Sequence, residues 1–179
     1  MIKIIAQVIS IIAMTIALLS FQQKTQKRIL LLQFCSSSLF VIHFFMIGAL
    51  TGCLLNLVGI FRAAVFANRG KKWANYIAWP ILFVALFFGV YLLNFTVLGL
   101  TPTVGNLLIE LLPTLGMFST TVSFRMEKAA QVRVFSLISA PLWLTYNIIN
   151  FSIGGILTEL FSAISILVGM LRLDLKKKK

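Results

Sequence analysis

Apolar residues in this chain neither alternate nor keep to one helical stripe; they run on in long blocks divided by short polar breaks. A helix needs about 20 apolar residues to cross a hydrocarbon core, and inside lipid every backbone N–H and C=O must be paired within the segment. The blocks therefore predict seven membrane-spanning helices, over residues 4–21, 29–47, 51–66, 73–93, 105–124, 134–149 and 154–173. The first block has no small-residue cleavage site leading into a polar domain, so it is expected to stay as a span.

Composition agrees with the pattern: 60% of the residues are hydrophobic and 11% charged, and the mean hydropathy is +1.02. Too little polar residue remains to cover a soluble domain. The net charge of +12 would suggest nucleic acid in a soluble chain. Here the cations end or follow the first, third, fifth and seventh blocks, and all but Lys3 of the 16 Lys and Arg lie there. Such bias sets topology, with the basic side cytoplasmic. Expected are an N-terminus outside, a C-terminus inside and no nucleic-acid partner. Trp73, Tyr76 and Trp79 at the inner face, and Tyr91 with Phe95 at the outer, suit interfacial anchoring. The closing Lys176 to Lys179 is expected to be a solvated tail.

Laid on itself at an offset of 103, the chain pairs its rare positions without a gap: Gln7 with Glu110, Phe40 with Trp143, His43 with Tyr146, Gly52 with Gly155, and Asn56 with Glu159. This suggests one three-helix unit used twice. Three spans would invert the second copy, and the fourth restores its direction, giving parallel repeats. The expected fold class is an all-α integral membrane protein of seven transmembrane helices in a 3+1+3 plan. Its parts are a first three-helix bundle at 1–69, a linker helix with its outer loop at 70–104, and a second bundle with the basic tail at 105–179.

Ionisable groups within spans are costly and mark pathways or ligand sites. Glu159, in the run SIGGILTELFS at 152–162, is the leading candidate. It is either a group whose protonation or ligation changes in a transport cycle or an acid that ties two helices together. At about 1.5 Å rise per residue, Gln7, His43, Asn56, Glu110, Tyr146, Asn147 and Glu159 all fall in the outer half of their spans, as one polar layer. Glu110, Pro113 and Met117 share a helical face, as do Gly52, Asn56 and Gly59, and Gly155, Glu159 and Ser162. The small residues among them equally suit close helix packing.

Other chemistry finds no support in the residues. Cys35 and Cys53 lack metal-ligand spacing, His43 is the one histidine, and no base stands near Ser36 to Ser38, so no metal, cofactor or enzymatic activity is expected. No lysine in the seventh span is available to hold a retinal.

The runs IHFFMIG at 42–48, ELLPTLG at 110–116 and SIGGILTE at 152–159 resemble signatures of bacterial inner-membrane proteins of the YgjV type, which are similar to the SWEET and PQ-loop superfamily. The Pro-Gln pair that names the PQ-loop group is absent. The resemblance implies a small-solute transporter in the bacterial inner membrane, working by alternating access, with a sugar or other small polar metabolite as substrate. It also implies polar pocket residues on the third and seventh spans, here Asn56 and Glu159, flanked by Phe40 and Trp143 of the second and sixth. Expected partners are the lipid bilayer, the solute and a coupling proton or cation; homo-oligomerisation is left open, as is a non-transporting scaffold or sensor of the same fold.

Overall fold

A computed structural model describes residues 2–150 and 152–175. Seven helices follow one another: α1 (Ile2–Phe21), α2 (Gln26–Ile47), α3 (Leu50–Ala67), α4 (Ala78–Thr96), α5 (Val104–Arg125), α6 (Ala129–Ile149) and α7 (Ile153–Gly169), the last running on as a wider π turn over Met170–Leu175. By length and apolar composition all seven suffice to cross a membrane. No strand occurs among the described residues. The tail Lys176 to Lys179 lies outside them.

Helix ends depart from the apolar blocks where local chemistry decides. α2 starts three residues before its block because Thr25 caps it, the hydroxyl accepting from the Arg28 N–H at 3.4 Å. It ends on Gly48, whose φ of 78° suits a residue without a Cβ. The fourth span does not begin at Trp73. Pro80 cannot donate to the carbonyl of Tyr76, so the helix starts at Ala78 with the proline in its first turn, where no bond is lost. Lys72–Asn75 forms a separate 3₁₀ turn, held to the helix by the Trp79 indole N–H donating to the Trp73 carbonyl at 2.7 Å.

The neighbours of each helix define a ring. α1 packs on α2, α2 on α3, α3 on α5, α5 on α6, α6 on α7, and α7 back on α1; α4 lies outside, against α3 and α5. The outward faces are apolar and exposed, with Phe45 68%, Phe61 62% and Ile81 64% accessible. Such a surface suits lipid and not water.

Glycines and short polar side chains set the close approaches inside the ring, and several recur 103 residues apart. Gln33 of α2 donates to the Ser20 hydroxyl of α1 at 2.7 Å, and the Ser136 hydroxyl of α6 lies 2.8 Å from that of Ser123 of α5. Ser165 of α7 donates to the Leu18 carbonyl of α1 at 2.9 Å; Arg62 of α3 donates to the Thr121 hydroxyl of α5 at 2.9 Å. The Phe44 ring covers Gly52, where a Cβ would come within 2.9 Å of it, and the Asn147 amide covers Gly155.

Two cations counted with the basic breaks are instead buried within helices. Arg62 is 4% and Arg133 2% exposed. Their long stems bring the guanidinium groups to backbone carbonyls and hydroxyls within the ring, so they act as internal cross-links at the basic end. Arg133 donates to the carbonyls of Phe21 at 3.1 Å and Gln23 at 3.0 Å and pairs with Asp174 at 2.5 Å.

Candidate functional site

The inner face of α2 carries Gln33, Ser36, Ser37 and Phe40, spaced i, i+3, i+4 and i+7, so one stripe of polar and aromatic groups faces the ring axis. α6 presents Ser136, Ser139, Ala140 and Trp143 in the same spacing. These stripes border a central cavity of about 120 Å³. The same pairing holds elsewhere in its wall: Ala17 and Phe21 of α1 match Thr120 and Phe124 of α5, Phe44 matches Asn147, and Asn56 of α3 matches Glu159 of α7 at the offset of 103. Arg62, Met117, Gly155, Thr158, Ser162 and Ile166 complete the lining; α4 contributes none of it.

Of the residues singled out in the sequence, Asn56, Glu159, Phe40, Trp143 and Asn147 meet here. Asn56 is 8% exposed and donates to the Gly52 carbonyl of its own helix at 2.9 Å. The Glu159 carboxylate is half-buried on the cavity wall, and among the described residues it makes no ion pair and no hydrogen bond. The Asn147 Oδ1 is buried without a partner. Phe40 stacks on Phe44 with ring centres 5.8 Å apart, and Trp143 meets Tyr146 edge-on at 5.8 Å.

The other four candidates stand apart from the cavity. Glu110 is 9% exposed and accepts from Asn94 Nδ2 at 3.4 Å, while Thr51 donates to Asn94 Oδ1 at 2.8 Å. Tyr146 adjoins Thr51 and Glu110. These four residues join α3, α4, α5 and α6 near the end opposite the basic loops. His43 is fully buried behind Phe40 and Phe44; its Nδ1 donates to the Ala6 carbonyl at 2.8 Å and its Nε2 has no partner. Gln7 accepts weakly from Ser10, at 3.5 Å, where α1 closes on Gly154 of α7. The expected single polar layer thus divides into the cavity wall, the Glu110 cluster and the α1–α7 contact.

Sequence reasoning missed Arg62 as a cavity residue. Its Nη1 donates to the Met117 carbonyl and the Thr120 hydroxyl, both at 2.8 Å, besides Thr121. The guanidinium carbon lies 4.6 Å from the centre of the Phe124 ring and 5.1 Å from that of Phe87, distances at which a cation is attracted to a ring face. The signal was available: Arg62 is three residues from Gly59 and six from Asn56, within a helix rather than beyond its end.

The basic end below the cavity is closed by bonds between α1–α3 and α5–α7. Gln22 donates to the Ser165 carbonyl at 2.7 Å, and Gln26 to the Phe124 carbonyl at 3.1 Å. Arg69 donates to the Arg125 carbonyl and pairs with Glu127 at 3.3 Å. Burial and the neighbouring Arg125 charge hold Arg69 below the usual arginine range, against the pull of Glu127.

The family model for Imp-YgjV, described as a bacterial inner membrane protein, matches residues 4–177. No curated protein and no solved structure matches the chain.

Proposed function

The chain belongs to the Imp-YgjV family of bacterial inner membrane proteins, and from that premise we propose that it is a small-solute transporter. Solute occupies the central cavity, and access alternates as α1–α3 rock against α5–α7. The observation that carries this is the matched wall, where equivalent positions of the two triads face one space and α4 stays outside. Parallel repeats with a site at their interface are the plan of SWEET-type carriers, and the recurring pairs Gln33–Ser20 with Ser136–Ser123 support two copies of one unit.

On this reading the basic end is cytoplasmic, as the loop charges require, and the N-terminus is outside. Bonds between the triads at this end, Gln22 to Ser165 and Gln26 to Phe124, would have to break for access from that side. Asn56, Glu159, Phe40, Trp143 and Asn147 contact solute. Glu159 is the proton- or ligand-linked group, because a carboxylate without a partner inside a membrane protein is costly unless function retains it. Glu110, bonded to Asn94 and flanked by Thr51, ties helices together.

Purified protein in liposomes tests the proposal with a panel of labelled small polar solutes, against protein-free vesicles. Saturable uptake of at least one solute class is expected. A flat response across the panel would mark the protein as a scaffold.

A further inference from the structure

Among the described residues, Arg62 is a buried cation with no anion paired to it. The chain has four carboxylate side chains. Glu127 pairs with Arg69, Asp174 with Arg133, and Glu110 bonds to Asn94. Glu159 borders the same cavity but forms no ion pair with Arg62. Arg62 lies five residues before the end of α3 and Glu159 six after the start of α7, which separates them by roughly 10 Å along the bundle at 1.5 Å per residue.

The hydrogen bonds of Arg62 are one-sided. All its oxygen acceptors are met by Nη1. Nη2 reaches only the Met117 sulfur, at 3.7 Å, and Nε has no partner. Nε and Nη2 form the side-on edge of the guanidinium, two parallel N–H donors that fit a carboxylate or phosphate in bidentate fashion. Gly59 puts no side chain beside this edge; a Cβ there would lie 3.4 Å from the Met117 methyl, 4.0 Å from Nη2 and 4.0 Å from the Ser37 hydroxyl of the cavity wall. The face of the ion is already packed by Phe87 and Phe124, so the buried edge that lacks an oxygen acceptor is the part left to engage a ligand.

We propose that the cavity takes a small solute bearing a carboxylate or phosphate-type anion, held by the Nε/Nη2 edge of Arg62 with Ser37 beside it. This rests on the transport reading only in calling the bound anion a substrate. An uncharged sugar would leave a desolvated cation unpaired, whereas an anion replaces the lost hydration with a charge-assisted fork.

The test is thermal unfolding of the purified protein in detergent, titrated with acetate, inorganic phosphate or the uncharged acetamide in a background of a large organic anion. Ligand that binds only the folded state raises the midpoint; at saturation acetate or phosphate should raise it by about 3 °C or more, and acetamide should not. Arg62→Gln should abolish the rise, and Arg62→Lys, which keeps charge but loses the fork, should retain a weaker one. Equal response to acetamide, or an undiminished rise in Arg62→Gln, would overturn the inference. Should Arg62→Gln fail to fold, acetate against acetamide on the unmodified protein decides. Labelled phosphate and a labelled neutral sugar are then followed in liposomes. An Arg62-dependent rise without flux of any solute upholds the anion site while removing transport. Flux of the neutral sugar without an anion-dependent rise upholds transport and removes the anion site.

Discussion

Asn147 of α6 lies directly on Gly155 of α7, so closely that a Cβ on the glycine would collide with its amide. Phe44 covers Gly52 in the same way 103 residues earlier. Gly155→Ala is therefore expected to overpack the contact and cost about 1–3 kcal/mol, read as a lowered unfolding midpoint in detergent. Gly105→Ala meets nothing within 4 Å and sits in a helix, so it should stabilise slightly, by about 0.4–1 kcal/mol.

Asp174 neutralises Arg133, whose side chain is 2% exposed. Asp174→Asn strands that cation, and breaking a buried pair from one side costs about 3–5 kcal/mol; the 19% exposure of Asp174 places the expected loss near the lower figure. Glu127 is 82% exposed, and Glu127→Gln should cost less than about 1 kcal/mol. Unfolding midpoints of the two variants, compared side by side, check the ordering.

Glu110 and Glu159 should respond differently to the same substitution. Glu110→Gln keeps an acceptor for Asn94 and should leave solute flux near the unmodified rate. Glu159→Gln keeps size but cannot ionise, and should fold normally while flux falls at least about tenfold, a change of about 1.4 kcal/mol in the barrier, and loses its dependence on a proton gradient. Rates in liposomes at matched protein density decide between them; unchanged flux and pH profile in Glu159→Gln would make that residue structural.

Seven spans were legible because hydrocarbon thickness imposes a length that apolar blocks display directly. The start of α4 was not, since it depends on one missing N–H at Pro80 and on the tolerance of a helix for proline in its first turn. The stripe Gln33, Ser36, Ser37 and Phe40 was not read from the sequence, although its spacing is helical, because serines in spans often serve packing alone. Depth placed Glu110 and Glu159 in one layer; only the order of helices in the ring, which no single span encodes, puts Glu110 against α4 and Glu159 on the cavity. Arg62 and Arg133 were read with the loop charges because stretches of apolar sequence do not reveal how far a long side chain reaches back into the bundle.

The proposed topology rests on the loop charges and has its own test. With Cys35 and Cys53 replaced, Thr101→Cys in intact cells should react with an impermeant thiol reagent from outside, and Gly70→Cys only after the membrane is opened. Labelling of position 101 solely from the cytoplasm would invert the orientation.

Alternating access requires the two triads to part at the basic end, where Gln22, the residue after α1, meets Ser165 of α7 at 2.7–2.9 Å. The direct measurement is solute counterflow in liposomes carrying Gln22→Cys with Ser165→Cys, joined by a short cleavable thiol cross-linker, in the background lacking Cys35 and Cys53. Counterflow should stop when the link is made and return when it is cleaved. Equal counterflow with the link closed, or none after cleavage although the unlinked single variants transport, would contradict rocking of α1–α3 against α5–α7.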